Sequence, residues 1–416
     1  MGKTKICLIL IAVFILAAAG AVFYYYNLRG VWPAILPAPQ KIKKGVDATG
    51  LGLKIADGFS ISVLADNLPG ARVMALDGRG NMWVSQTGEG KIAILENENR
   101  KVKGSEFFKN LNRPHGLAFD PQDGLFLYFA EEDKISKVRL YAEDKPHKIA
   151  DLPGGGRHFS RTLGFGPDGR LYVSIGSSCD VCYETDKRRA AIYSMKKDGS
   201  DFKEFAKGLR NAVFFTWSYI DGKMWATEMG RDLLGDNLPP DEINVIEEGK
   251  NYGWPVCYGK NIHDTDFDPV RNSPPQSPSG APSAGAVSNG VDKNVYVRDP
   301  CADKTPSYID LQAHSAPLGL AFVPEEGWPQ DYWYNLFVAY HGSWNRSEPT
   351  GYKIVRIKLD DKGNYLGTED FITGWLKDAT ALGRPVDILV QPGGLMYISD
   401  DKAGVIYKIT YNGDGA

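Results

Sequence analysis

The chain has 416 residues, 43% hydrophobic and 12% aromatic, and its 48 basic side chains stand against 51 acidic ones for a net charge of −3. That is enough apolar material for one large buried core. With no long run of either sign the sequence carries no extended nucleic-acid footprint, and nucleic acid is excluded as a partner.

In chain order, residues 1–5 contain Lys3 and Lys5 and read as a cytoplasmic lead-in to an uncharged stretch, 6–26, that closes on Phe23, Tyr24, Tyr25 and Tyr26. A helix of that length, at about 1.5 Å per residue, spans roughly the 30 Å of a bilayer core. Basic residues before it and tyrosines at its far end predict a single-pass anchor with the remainder on the periplasmic or extracellular face. A cleaved signal peptide is the competing reading, since Ala17, Ala19 and Ala21 offer small-residue cleavage sites. Both readings export the folded part, with 27–49 as a linker. Cys7 lies in the apolar stretch, and the other four cysteines form an even set suited to an oxidising compartment. Cys257 is expected to pair with Cys301, and Cys179 with Cys182.

From residue 50 to residue 411 one phrase recurs: a polar residue, a short apolar run, a Gly/Asp/Pro turn, and an apolar strand centred on an aromatic. The aromatics are Trp83, Tyr128, Tyr172, Trp225, Phe337 and Tyr397, separated by 45, 44, 53, 112 and 60 residues. A repeat near that length, with short strands and turn-rich joints, predicts an all-β, six-bladed β-propeller. The gap of 112 is read as an insertion over 257–310, where Pro, Ser, Gly and Ala dominate part of the stretch. The segment Leu53 to Ala65 is expected to pair with the last strand, near Val405 to Tyr411, and so close the ring. Residues 412–416 form a tail.

In a propeller the residues just before each innermost strand converge on one mouth of the channel. Those positions hold Arg72, Arg113 with His115, His158 with Arg161, Arg210 with Asn211, His314 with Ser315, and Arg384 with Asp387. Arginine occurs at five of the six, without a matching set of carboxylates, which predicts an anionic ligand. Three of the six histidines fall here too, and a neutral imidazole suits proton transfer near neutral pH. The run Glu228 to Ile243, followed by Asn251-Tyr-Gly-Trp-Pro255, interleaves carboxylates with glycines and offers the hard oxygen ligands that calcium takes, without EF-hand spacing.

Several phrases carry a family resemblance: Gly-Gly-Arg-His158-Phe-Ser-Arg161-Thr-Leu-Gly-Phe-Gly-Pro-Asp-Gly-Arg-Leu-Tyr, Gly-Leu-Arg210-Asn211, Pro-Pro-Asp241-Glu242-Ile-Asn, Asn-Tyr252-Gly-Trp-Pro and His314-Ser-Ala-Pro-Leu-Gly. In their order and spacing, over roughly residues 50–411, the chain resembles the soluble pyrroloquinoline-quinone (PQQ) sugar dehydrogenases, most closely the L-sorbosone and aldose sugar dehydrogenase branch. The resemblance implies PQQ with Ca²⁺ at the channel mouth, oxidation of an aldose or aldehyde sugar, and a separate electron acceptor. It implies His158 as the general base while hydride passes to the quinone, and Arg210 as the group that polarises the quinone oxygen. Gln86, Arg161, Asn211, His341 and Arg384 are the implied cofactor contacts, with the carbonyls of Gly230 and Arg231 toward calcium. The chain departs from the family at Ser177, where an Asp orients the catalytic histidine, at Val386 in place of an arginine, and at Arg231 in place of a proline.

Two other classes compete. A calcium-dependent lactonase-type hydrolase would need carboxylates and an Asn converging on the channel, and a non-catalytic propeller would bind a partner or glycan through its loops.

Overall fold

The computed structural model describes residues 45–98, 101–268, 299–391 and 393–411, together with 16–18 and 20. The expected anchor or signal at 6–26 and the tail at 412–416 therefore lie almost wholly outside the described residues. Among the described residues, no helix is long and apolar enough to cross a membrane.

Six sheets of four or five strands follow one another along the chain. The innermost strands are Ala71–Leu76, Leu117–Phe119, Leu163–Phe165, Phe215–Trp217, Pro317–Phe322 and Pro385–Gln391. They adjoin their neighbours around a central channel. The second strand of each blade is sandwiched between adjacent blades. Met82–Gln86, Leu171–Ile175, Met224–Glu228 and Leu336–Tyr340 are accordingly buried at every residue. Burial on both faces explains why these strands read as continuous apolar runs rather than as alternation. The outer strands, such as Lys203–Lys207, keep a largely exposed polar pattern.

The acidic turn residue of the repeated phrase has a structural job. Asp77 Oδ1 accepts from the backbone of Arg79 and Asn81, while Oδ2 accepts from Trp83 Nε1 at 3.1 Å, tying the turn to the aromatic of the next strand. Gly80 completes that turn at φ 81°, a conformation that a side chain disfavours.

Ring closure occurs as expected but with a shorter segment. Phe59–Ala65 pairs antiparallel with Val405–Tyr411, from Phe59 opposite Tyr411 onward. Lys54–Ile55, expected in the same strand, instead joins the outer edge of the fifth blade through Thr373 and Ile372. The N-terminal segment thus staples two neighbouring blades. The insertion also needs correction at its end: Ile309–Leu311 is the outer strand of the fourth blade, paired with Asp241–Ile246. The 112-residue gap arises because the extra chain enters between the third and fourth strands of that blade. Its described part forms a hairpin, Cys257–Tyr258 with Ile262–His263, held by a disulfide from Cys257 to Cys301. A second disulfide joins Cys179 to Cys182.

Candidate functional site

A cavity of about 260 Å³ opens where the innermost strands begin, lined among others by Arg157, His158, Arg210, Asn211, His314, His341 and Arg384. His158 sits on the loop entering the third blade. Its Nδ1 lies 2.8 Å from Ser177 Oγ and 3.0 Å from the Ser177 carbonyl, and Ser177 Oγ donates to the Cys179 carbonyl at 2.7 Å. A carbonyl can only accept, and the serine proton is already committed, so the imidazole proton belongs on Nδ1. Nε2 is left with its lone pair and no partner among the described residues. Burial first, then the Arg210 guanidinium, lower the His158 pKa to about 3, so the ring is neutral at physiological pH. Gly176 permits this packing: a Cβ there would lie 2.7 Å from both His158 Cβ and Asn211 Oδ1.

Arg210 is coupled to the same loop. Its main-chain carbonyl accepts from Ser177 N at 2.8 Å. Its guanidinium donates to the Asp180 carbonyl at 2.8 Å and to Asp180 Oδ1 at 2.6 Å, with Asp232 Oδ2 at 3.5 Å. Arg157 donates to Asp232 Oδ2 at 2.7 Å. Asp180 is held below the ordinary carboxylate value: burial acts the other way, but the Asp232 N–H and Arg210 outweigh it. Asp232 is pushed up by burial and by Asp180 against the pull of Arg210.

At the same cavity Arg384 donates to the carbonyls of His341 at 3.1 Å and Gly342 at 2.7 Å, and its Nη1 donates to no described residue. His341 Nε2 and Arg72 Nη1 both meet Asp401. Burial drives His341 down to about 4 despite that carboxylate. Burial works to raise Asp401, yet His341, Arg72 and Arg384 together hold it at about 2. His314 also lines the cavity, with Nε2 donating to the carbonyls of Gly235 and Leu238. The carboxylates Asp180, Asp232 and Asp401 correct the expectation of arginines without matching acids. These acids come from loops remote in sequence, where a register count does not see them.

Several expected residues lie elsewhere. Arg161 is wholly buried and donates to the carbonyls of Pro153, Glu132, His158 and Ser160. It shapes the loop under His158 and is absent from the cavity wall. Gln86 turns away from the cavity to donate to Pro69 O at 2.9 Å. His115 is buried beside Thr162 and Phe214 deeper in the fold. Arg113 is half exposed and pairs with Glu132. Conversely, Arg157, Asp180, Asp232, Trp344 and Asn345 escaped the register count. Of these, Arg157 stood beside His158 in the phrase that carries the resemblance, and Asp232 lay within the acidic run Glu228 to Ile243.

Gly230 borders both this cavity and a small one of about 20 Å³ behind it, which Arg231, Glu228, Glu242 and Asp264 also line. Arg231 turns its side chain to Asp264 at 2.9 Å. Glu228, Glu242 and Asp310 are direct cross-strand neighbours in the fourth blade. Glu228 is 5% exposed, and its Oε2 is buried without a partner among the described residues. Burial and Glu242 raise Glu228 well above the ordinary range, while burial chiefly lifts Glu242 to about 7 and Asp310 to about 8.

These shifts set a pH dependence of stability. Glu242, Asp310 and Asp387, the last raised to about 7 by burial, bind protons more tightly folded than unfolded. Their contribution is full below about pH 4 and is lost as pH rises through 7 to 8. His158 and His341 act oppositely, contributing fully above about pH 6.5 and losing that contribution below it. Between pH 6.5 and 8 only the acids act, so the unfolding midpoint of the metal- and cofactor-free protein is expected to fall over that interval in calorimetry. A flat or rising midpoint would refute the assignment.

A family model described as TrAA12-like matches residues 53–412. An uncharacterized protein of Borreliella burgdorferi is 32% identical, covering 86% of this chain and 91% of its own. The pyrroloquinoline quinone-dependent pyranose dehydrogenase of Coprinopsis cinerea is 23% identical across 86% of this chain; the match spans 54%, about half, of that longer protein. Among solved structures, an AA12-family carbohydrate-active enzyme of Trichoderma reesei superposes with a TM-score of 0.67 at 19% identity, covering 90% of this chain and all of that one. That likeness carries the fold.

Proposed function

Because the chain belongs to the TrAA12-like family, we propose that it is a PQQ-dependent sugar dehydrogenase, a quinoprotein that oxidises an aldose or aldehyde sugar with calcium as a second cofactor. We place its catalytic part outside the cytoplasm, behind the segment at 6–26. The observation that carries the reading is His158: neutral, held through Nδ1 by Ser177, with Nε2 unpartnered among the described residues at a cavity it shares with Arg210 and Arg384.

The lining suits an anionic cofactor. Arg157, Arg210 and Arg384 face the cavity, and a guanidinium is always charged. The two acids facing it, Asp232 and Asp241, are both raised, Asp241 to about 6 chiefly by burial, so the wall disfavours their charge. Arg384 Nη1, which donates to no described residue, is available for a carboxylate. Asn211 and His341 complete the wall. Arg161 and Gln86 support loops, and in our reading neither touches the cofactor. For calcium, Gly230 and Arg231 line the same small cavity as Glu228, whose Oε2 has no partner among the described residues, and together they offer hard oxygen donors suited to that ion.

Bound PQQ supplies the hydride acceptor. The chain's own part is to take the hydroxyl proton at His158 Nε2, to keep the ring in that tautomer through Ser177, and to present a positive wall where negative charge develops.

The test is a titration of the full-length protein with PQQ, with and without Ca²⁺, followed by turnover of an aldose panel with an artificial electron acceptor. Saturable 1:1 binding weakened at least tenfold in Arg384→Ala, with turnover abolished by a calcium chelator and restored by Ca²⁺, is the expected result. Absence of binding by the wild type would refute the proposal.

A further inference from the structure

After Leu171–Ile175 the chain leaves the third blade in a loop without helix or strand, and inside that loop a disulfide joins Cys179 to Cys182. Both proposed catalytic groups hang on it. The Cys179 carbonyl accepts from Ser177 Oγ at 2.7 Å, and Ser177 in turn holds His158 Nδ1. The Asp180 carbonyl accepts from Arg210 Nε at 2.8 Å, while Asp180 Oδ1 accepts from Arg210 Nη2 at 2.6 Å and from the Asp232 N–H at 3.0 Å. Only Asp180 and Val181 stand between the two cysteines. The small ring closed by the disulfide thus carries the acceptors that fix the base and the arginine together.

The arginine also has a second place to go. Asp232 Oδ2 lies 3.5 Å from the same Nη2, so a guanidinium released by Asp180 can turn to Asp232. With the ring closed, Asp180 offers a carbonyl and a carboxylate side by side, and the planar fork takes both. With the ring open, the main chain over 179–182 regains conformations that the S–S bond denies it. Access separates this disulfide from the other one. Cys257 and Cys301 are 4% and 0% exposed, whereas Cys179 and Cys182 are only half-buried, and exchange requires a thiolate to reach a sulfur.

We propose that Asp180 is a positioning residue for Arg210 and that Cys179–Cys182 is a thiol-exchange site, whose opening by an external dithiol frees Arg210 and Ser177 and lowers turnover. This rests on the sugar-dehydrogenase reading above and adds a regulated element to it. The exchange balances. A thiolate of the dithiol attacks one cysteine sulfur and forms a mixed disulfide, and the second thiol then displaces that cysteine. The protein S–S bond breaks, two electrons and two protons pass to the cysteines, and the dithiol leaves as a cyclic disulfide.

The experiment treats the cofactor-free full-length protein with dithiothreitol, caps free thiols with a methylthio group, removes the reagents, and then adds PQQ and Ca²⁺. Mass spectrometry is expected to find the new caps on Cys179 and Cys182 and none on Cys257 or Cys301. In the opened protein, in Cys179→Ser/Cys182→Ser and in Asp180→Ala, kcat for an aldose should fall about tenfold or more with KM within about twofold, as loss of a charged hydrogen bond at the reacting end predicts. Removing the caps and reoxidising restores kcat in the wild type alone. Before PQQ is added, amide exchange at Ser177 and Asp232 should quicken about tenfold in the opened protein, with Leu171–Ile175 unchanged, and in Asp180→Ala at Asp232 only. An undiminished kcat in protein shown to be open overturns the proposal. So does a pair that dithiothreitol cannot open in the folded chain, or a loss of kcat accompanied by faster exchange throughout the blade, which would make the disulfide a staple of the fold. A wild type that binds no PQQ sinks the underlying function instead. The loop is then judged by exchange in the cofactor-free protein, where faster exchange at Ser177 and Asp232 supports it and unchanged exchange overturns it.

Discussion

Exchanging His158 for alanine is expected to lower kcat by about two to four orders of magnitude, the usual worth of a positioned general base. The protein should stay folded, because the side chain lies at a cavity wall and Arg161 fixes the loop through its main chain. The argument rests on proton placement: the Ser177 carbonyl accepts from Nδ1, which leaves Nε2 as the only basic atom of the ring. The pH profile gives an independent check. Burial and Arg210 depress His158 to about 3, so protonation removes the base only below about pH 4, and kcat/KM should keep its His158-dependent component at pH 5. An acid limb near 6.5 in kcat/KM, or a His158→Ala variant with more than about a third of wild-type turnover, would remove His158 from this role. Ser177→Ala separates positioning from basicity. It leaves Nδ1–H on the carbonyl alone, so kcat should drop by roughly tenfold, the effect of one hydrogen bond, without a new limb.

The fold was legible in the sequence because a propeller blade repeats its chemistry. Trp83 needs Asp77, and each doubly buried second strand needs a continuous apolar run, so the same phrase recurs at each turn of the ring. The closing strand was legible in kind from its β-rich apolar residues Ile61, Val63 and Leu64, although of these only Ile61 is fully buried and Val63 is left exposed. That Lys54–Ile55 would cross to the next blade was not, because two residues carry no periodicity. At the site, the register located His158, Arg210, His314 and Arg384 on one cavity. Register does not fix where a long side chain ends: Arg157 reaches the cavity, whereas Arg161, four residues on, folds back beneath it. Nor could it reveal the acids. Asp180 sits inside the four-residue disulfide loop, and Asp232 and Asp401 come from two other blades, so the charge balance of the site exists only in three dimensions.

Arg161 provides the sharpest separation of a supporting residue from a binding one. Its guanidinium is fully buried, and Nε, Nη1 and Nη2 reach four carbonyls spread over residues 132 to 160. Arg161→Lys keeps the charge but replaces a planar fork by a point donor that cannot span those acceptors. Pro153 O keeps Arg189 as a donor, but one or two of the other buried carbonyls lose their partner, each worth about 1 to 3 kcal/mol. A destabilisation of about 2 to 4 kcal/mol is therefore expected in denaturant unfolding, allowing for the ammonium keeping one or two of the contacts. At temperatures where the variant remains folded, its Kd for PQQ should stay within about threefold of wild type, since Arg161 forms no part of the cavity wall. Arg384→Lys should behave in the opposite sense, with little change in stability and at least a tenfold weaker Kd. If Arg161→Lys instead lost cofactor affinity at unchanged stability, the guanidinium would have to leave its four carbonyls to meet the ligand, and the loop beneath His158 would have to rearrange on binding.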